Sequence, residues 1–346
     1  MSKYGIKIFF QVIIGSIALS SLAYALPAPD LKQSNDVINK LLNLWASGNY
    51  NWKCTLVDQK SLNKNETVKW SKWSCQGSFP KNIPQIGGGS TGLLTINIVD
   101  TDLTDAGVTI KPLLADAASL YTQTLSDMAK SRPDLIAAIN GGYFFINEPK
   151  FTDSNCPKKK YPQPATTQNI GDGVLTIDGV NYSVNCGELG PISSPRATII
   201  QDAQNNWSIQ NIAAETVPGG IIQGLGAGPA MIDKGKIAMD WQQIPSTFEY
   251  AANTAVSLAK DNNQHTHLQL FTVDGVDNEA GMISYEMTNF IYTQYPKLFN
   301  LSVAQAMSMD QGGSTTLYVD GNIVSKSDAK GKLRPVYDAL GIFLNN

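Results

Sequence analysis

The sequence predicts an α+β fold: a mixed sheet with a C-terminal βαβ unit and helices packed on it, preceded by a small disulfide-stapled N-terminal segment. Three observations carry this prediction. Apolar runs of strand length recur along the chain, punctuated by Gly, Asp-Gly and Asn turn residues. A helix-period stretch, GMISYEMTNFIYTQYPKLF, stands between two strand-like runs, HLQLFTV and VAQAMSM. Finally, Cys54 and Cys75 flank a Trp-rich stretch that differs in character from everything after it.

The first 25 residues read as a signal peptide. Lys3 and Lys7 form a positive start, an apolar run follows, and Ala23-Tyr24-Ala25 supplies a small-residue cleavage site. Cleavage would leave Leu26 first, whereas an uncleaved anchor is the alternative. No other segment is long enough to span a bilayer, so no stable membrane insertion is expected after cleavage. Residues 26–89 form an N-terminal segment. In it Val37, Leu41, Leu44 and Trp45 share one face of a short helix, WSKWSC reads as a packed or carbohydrate-facing strand, and the run Gly87 to Ser90 reads as a linker. Residues 90–346 form the main domain. There LLTINIVDTDL and GVTIKPLLA read as strands, ADAASLYTQTLSDMAKS as a helix, and DLIAAIN as a buried strand running into GGYFF. Residues 146–173 read as a long polar loop. GVLTIDGVNYSVNC, PRATIIQD and NWSIQNIA are short strands, and GAGPAMIDKGKIAM is a hairpin.

Composition excludes some function classes. With 42% hydrophobic and 16% charged residues the chain is globular. Two of its 26 basic residues lie in the leader, leaving 24 against 29 acidic ones, a net charge of −5. That balance, with no basic stripe beyond the loop-like PKKKY, excludes nucleic acid as a partner. The four cysteines, Cys54, Cys75, Cys156 and Cys186, all follow the leader, which fits an oxidising compartment. Three pairings are possible. Closing shorter loops costs less entropy, which favours Cys54 with Cys75 and Cys156 with Cys186. The expected location is secreted or periplasmic.

The predicted βαβ unit sends Asp274, after HLQLFTV, and Asp310, after VAQAMSM, to the same carboxyl edge of the sheet, where ligands bind in parallel sheets. Asp310 opens Gln311-Gly312-Gly313-Ser314-Thr315. This run is either a plain Gly-Gly turn with Asp310 capping its own backbone, or a nest whose N–H groups and hydroxyls hold an anionic oxygen. Arg196 and Arg334, each beside a proline, are candidates to clamp a phosphate or carboxylate, or are ordinary surface arginines. Standard catalytic plans fail on inventory. His265 and His267 are the only histidines, and no G-x-S-x-G elbow or phosphate loop occurs. Carboxylates, arginines and glycines remain, a set suited to glycosyl chemistry near a phosphate. No cofactor is expected, and participation of a metal is open, as is the oligomeric state.

AAINGGYFF, SPRATI, GAGPAMIDKGK, TVDG, AQAMSMDQGGSTTLYVDGNIVSKSD and RPVYDALGIF, in this order, resemble the phosphodiester glycosidase family. The resemblance covers about Thr91 to Phe343. It implies hydrolysis of a sugar-1-phosphodiester at the glycosidic C–O bond, with a glycan or sugar phosphodiester as partner. It also implies catalytic roles for Asp310 and Asp274, and substrate-binding roles for Asn140, Gly141, Arg196, Gly312, Gly313, Ser314, Thr315 and Arg334. Gln311 stands where the family usually has a third glycine. A non-catalytic cell-envelope glycan-binding protein on the same fold is the rival reading.

Overall fold

The computed structural model describes residues 51–78, 93–116, 122–146, 169–183, 196–213, 219–238, 251–274, 281–329 and 332–345. The leader, the glycine linker, the Cys156 to Cys186 pairing and most of the predicted 146–173 loop lie outside these residues. Among the described residues no helix is long and apolar enough to cross a membrane.

The fold is mostly β-sheet with few helices. An eight-stranded sheet A is built from β1 (Asn51–Ser61), β2 (Val68–Ser78), β3 (Leu94–Asp102), β13 (Ala230–Asp233), β14 (Lys236–Ile237), β15 (Asn253–Lys260), β16 (Thr266–Val273) and β17 (Ser302–Ser308). Their order is β1-β2-β3-β16-β15-β17-β13-β14. Sheet B has the order β19-β18-β5-β20-β4, from β4 (Val108–Leu114), β5 (Leu135–Asn140), β18 (Leu317–Val319), β19 (Asn322–Ile323) and β20 (Asp338–Leu344). Sheet C has the order β11-β10-β12-β8-β9, from β8 (Leu175–Ile177), β9 (Val180–Ser183), β10 (Arg196–Asp202), β11 (Trp207–Ile212) and β12 (Ile221–Gly226). A short ribbon pairs β6 (Tyr143–Ile146) with β7 (Asn169–Asp172).

One core joins the three sheets. Val99, Val256, Leu268, Leu270 and Met307 come from sheet A, Ile110, Ile139, Leu317 and Leu340 from sheet B, and Leu175, Ile199 and Leu225 from sheet C. The outer face of sheet B is covered by α1 (Leu125–Lys130), which buries Leu125, Met128 and Ala129 against Leu113, Leu135 and Phe343. This helix is shorter than its sequence period predicts. Thr124 caps it, its hydroxyl accepting the Asp127 N–H at 3.2 Å, which satisfies one of the free donors of the first turn. The outer face of sheet A carries α2 (Ser284–Asn289), a π turn (Phe290–Gln294) and α3 (Tyr295–Phe299). Phe290 packs edge-on to Trp52 at 5.4 Å, and Tyr295 to Phe271 at 5.1 Å.

The predicted βαβ unit needs correction. β16 and β17 both pair antiparallel with β15, so they are parallel to each other, but β15 lies between them. All strand pairings among the described residues are antiparallel. A local hairpin puts β15 there. Asp261 accepts the N–H groups of Asn263 and His265, each at 2.8 Å, and turns β15 directly into β16.

Cys54 and Cys75 stand opposite one another across β1 and β2 and are disulfide-bonded, as sequence proximity predicts. This hairpin continues sheet A through the β2 to β3 ladder. The WSKWSC strand is of the packed kind: Trp73 meets Phe299 at 5.9 Å, and Trp70 lies against the shared core.

Candidate active site

Three strand ends converge where the sheets meet. β5 ends in Asn140-Gly141-Gly142, β17 runs out to Asp310, and β20 begins at Asp338. The glycines splice the other two together. The Asp310 N–H donates to the Gly141 carbonyl at 3.0 Å, and the Gly141 N–H donates to the Asp338 carbonyl at 2.9 Å. The Gly142 N–H then donates to Asp338 Oδ1 at 2.7 Å. A Cβ at Gly141 would collide with that same carboxylate, which is the physical reason for glycine there.

Asn140 is buried and committed to holding the splice. Its Nδ2 donates to the Asp310 carbonyl at 2.8 Å, while its Oδ1 accepts the Thr254 hydroxyl at 2.9 Å and the Thr316 N–H at 3.0 Å. Thr315 is buried too, its hydroxyl lying 3.1 Å from that of Thr254. Both predicted substrate ligands are thus buried: Asn140 positions Asp310, and Thr315 joins it through Thr254.

Gly312 to Ser314 form a 3₁₀ turn, and Gly312 takes a φ of +65°. Of the two readings open in the sequence, the turn is the better description. The N–H groups of Gly312, Ser314 and Thr315 donate to the carbonyls of Ala252, Gln311 and Gly312, and that of Gln311 to Asp310 Oδ1 at 2.9 Å. They are therefore not gathered on an empty point. The buried Ser314 hydroxyl approaches Asp310 without closing to hydrogen-bond geometry, and has no hydrogen-bond partner among the described residues. The Gln311 amide ties the turn to α2 and β17, donating to the hydroxyls of Ser284 at 3.0 Å and Ser308 at 2.7 Å.

Arg196, at the start of β10, is buried and paired with Asp172 at the end of β7. Its Nη2 donates to Asp172 Oδ2 at 2.6 Å and its Nη1 to the Asp172 carbonyl at 3.1 Å. The guanidinium lies 5.1 Å from the Tyr143 ring centre, and the Tyr143 hydroxyl donates to the Gly228 carbonyl at 3.0 Å. Arg334 is half-buried over Phe144, 5.4 Å from the ring centre. Both arginines act electrostatically on Asp310.

Burial pushes the Asp310 carboxyl above its usual range, opposed by the Ser314 hydroxyl, the Arg334 charge, the Gln311 N–H and the Arg196 charge. Burial also pushes Asp338 up to about 7, opposed by the Gly142 N–H and reinforced by the charge on Asp310. Two interacting carboxyls share their titration, and the arginines favour the negative charge on Asp310 with the proton on Asp338.

Asp274 stands at the same edge of sheet A as Asp310, as the sequence predicts, but not beside it. Its Oδ1 accepts the Lys326 N–H at 2.9 Å and the Asn97 Nδ2 at 3.4 Å. With β15 between their strands, Asp274 and Asp310 are two strand spacings apart, roughly 10 Å at the backbone. Thus Asp338, absent from the sequence-based candidates, takes the place beside Asp310 that Asp274 was expected to hold. Its sequence signal is an acid at the head of the apolar run Ala339 to Leu344. Asp172 and Tyr143 were likewise missed.

A pH dependence of stability follows. Asp338 at about 7 and Asp274, which burial raises to about 6, both exceed the unfolded value near 3.9. The native state then binds more protons, so their contribution is fully present below about pH 4 and is lost as pH rises through about 6 to 7. Thermal melts should give a higher Tm at about pH 5 than at about pH 8, and Asp338→Asn should flatten the difference.

A comparison with curated proteins gives no match. Among solved structures the chain is similar to the zebrafish N-acetylglucosamine-1-phosphodiester alpha-N-acetylglucosaminidase catalytic domain, auto-inhibited by its pro-peptide. Identity is 18% and the TM-score 0.56, over 85% of this chain and 88% of that one. It is also similar to a hypothetical protein from Synechocystis, with 14% identity and a TM-score of 0.50, over 86% of this chain and 68% of that one. These likenesses concern the fold. The family model for phosphodiester glycosidases matches residues 133–343, which span the splice, both arginines and both of its carboxylates, and the chain therefore belongs to the phosphodiester glycosidase family.

Proposed function

We propose that the chain is an exported hydrolase that cleaves the glycosidic C–O bond of a sugar-1-phosphodiester, releasing free sugar and a phosphomonoester. The observation that carries this reading is the pairing of Asp310 and Asp338 across the Gly141 splice, with two arginines acting on Asp310. Export rests on the leader at residues 1–25, with a secreted or periplasmic destination.

In this mechanism Arg334 and the Ser314 hydroxyl hold the phosphate, and Arg196 keeps Asp310 ionised. Asp310 serves as base or nucleophile at the anomeric carbon, while Asp338 carries the proton that the pair retains near neutrality. Water supplies the oxygen that ends on the sugar. The electrons of the broken C–O bond leave with the phosphomonoester, which is a good leaving group and needs little proton donation.

Hydrolysis of a panel of sugar-1-phosphodiesters in isotopically labelled water tests the reading. Label is expected on the sugar. Label in the phosphate would mean that the P–O bond breaks, and tight binding without release would favour the glycan-binding alternative.

A further inference from the structure

Asp274 does have a connection to the site, and it runs through a strap of backbone. Residues 324–329 leave β19 of sheet B and cross the ends of β15, β16 and β17 of sheet A. On sheet B the strap is tied to Leu317, whose carbonyl accepts the Val324 N–H at 2.9 Å and whose N–H donates to the Ser325 hydroxyl at 2.8 Å. On sheet A the Lys326 N–H donates to Asp274, the Asp328 N–H donates to the Gly312 carbonyl at 3.3 Å, and the Asp328 carboxylate accepts the Ala252 N–H at 3.1 Å.

The far end of the strap and Arg334 both reach Gly313. A Cβ at Gly313 would stand 3.8 Å from the Ala329 Cβ and 3.5 Å from the Arg334 Cδ. The strap therefore packs on the 3₁₀ turn after Asp310, and the arginine that acts on Asp310 stands against that same turn.

We propose that Asp274 is a positioning residue: through the Lys326 N–H it latches this strap to sheet A, and so sets where Arg334 and the Gly312 to Ser314 turn stand beside Asp310. The kinetic part of this proposal rests on the hydrolase reading above, whereas the latch itself does not. What the latch needs is an acceptor oxygen. Both hydrogen bonds to the Asp274 side chain end on the same atom, Oδ1, and an asparagine amide oxygen can accept both. A proton-transfer group has no such substitute. The charged groups acting on Asp274 are Lys72 from β2 and Lys326 from the strap.

The test compares Asp274→Asn with Asp274→Ala, each alone and with Arg334→Ala. kcat and KM are measured on a sugar-1-phosphodiester that the wild type cleaves, and amide hydrogen exchange is followed at Lys326. Asp274→Asn is expected to stay within about threefold of wild type, where loss of a general base would cost roughly a hundredfold or more. Asp274→Ala should lower kcat/KM by about ten- to a hundredfold, the scale of a misplaced binding group. It should add little to Arg334→Ala, because the two changes disable one unit.

An inactive Asp274→Asn whose Lys326 amide is still protected would overturn the proposal, as would losses that multiply with Arg334→Ala. The exchange measurement needs no turnover. Lys326 should exchange slowly in wild type and Asp274→Asn and at least about tenfold faster in Asp274→Ala. Unchanged protection in the alanine variant would remove the latch. A wild type that cleaves no sugar phosphodiester would remove the hydrolase reading alone, leaving the latch to be decided by exchange.

Discussion

Asp310→Asn is expected to lower turnover by roughly a hundredfold or more while leaving the protein folded. The substitution is nearly isosteric, and the contacts that place residue 310 are mostly to its backbone: its N–H donates to the Gly141 carbonyl and its carbonyl accepts from Asn140. The asparagine oxygen can also still accept the Gln311 N–H. What is lost is the negative charge on which Arg334 and Arg196 act, together with any ability to take a proton or attack carbon. Kinetics on a cleaved sugar-1-phosphodiester, alongside thermal melts, separate loss of chemistry from loss of fold. Near wild-type turnover from folded Asp310→Asn would reduce the Asp310 to Thr315 run to a corner between strands.

The largest effect on stability is expected from Asp172→Ala. The side chains of Arg196 and Asp172 are 1% and 0% exposed, so water cannot solvate the cation once its partner is gone. Breaking a buried pair from one side costs about 3–5 kcal/mol, mainly the penalty for an uncompensated charge. The Asp172 carbonyl and the Tyr143 ring face remain to Arg196, which limits the loss but does not neutralise the charge. Urea unfolding should show the midpoint falling with an unchanged slope. Replacing both partners, as Asp172→Leu with Arg196→Met, should be less destabilising than Asp172→Ala, because no buried charge is left. If Asp172→Ala proved as stable as wild type, Arg196 would have to reach another anion or solvent.

Much of the local structure was legible in the sequence because its causes are local. Apolar periodicity locates β5, β16 and β17, and the glycine loop and Lys234-Gly235 locate the β13 to β14 hairpin. The Asp178-Gly179 and Asp320-Gly321 turns take the positive φ values their residue types favour. Asp310 at a strand end, followed by a glycine turn, belongs to the same class of inference, as does the Cys54 to Cys75 pairing across a single hairpin.

Which strand ends meet depends on long-range pairing. Periodicity says that a segment is a strand and says nothing about its neighbour, since backbone N–H and carbonyl groups pair alike with any partner. β15 went unread in the sequence, so the spacing of β16, helix and β17 implied adjacent parallel strands, whereas the hairpin at Asp261 inserts β15 between them. That one insertion moves Asp274 away from Asp310. The Gly141 splice brings up Asp338 from a strand that follows Asp310 by 28 residues in the chain, and Asp172 arrives from a separate ribbon. The family, an acid at the end of β17 and the candidate arginines Arg196 and Arg334 could all be read from the chain alone. Asp338 beside Asp310 and Asp172 beside Arg196 were set by hydrogen bonds between residues distant in the chain, which no local pattern encodes.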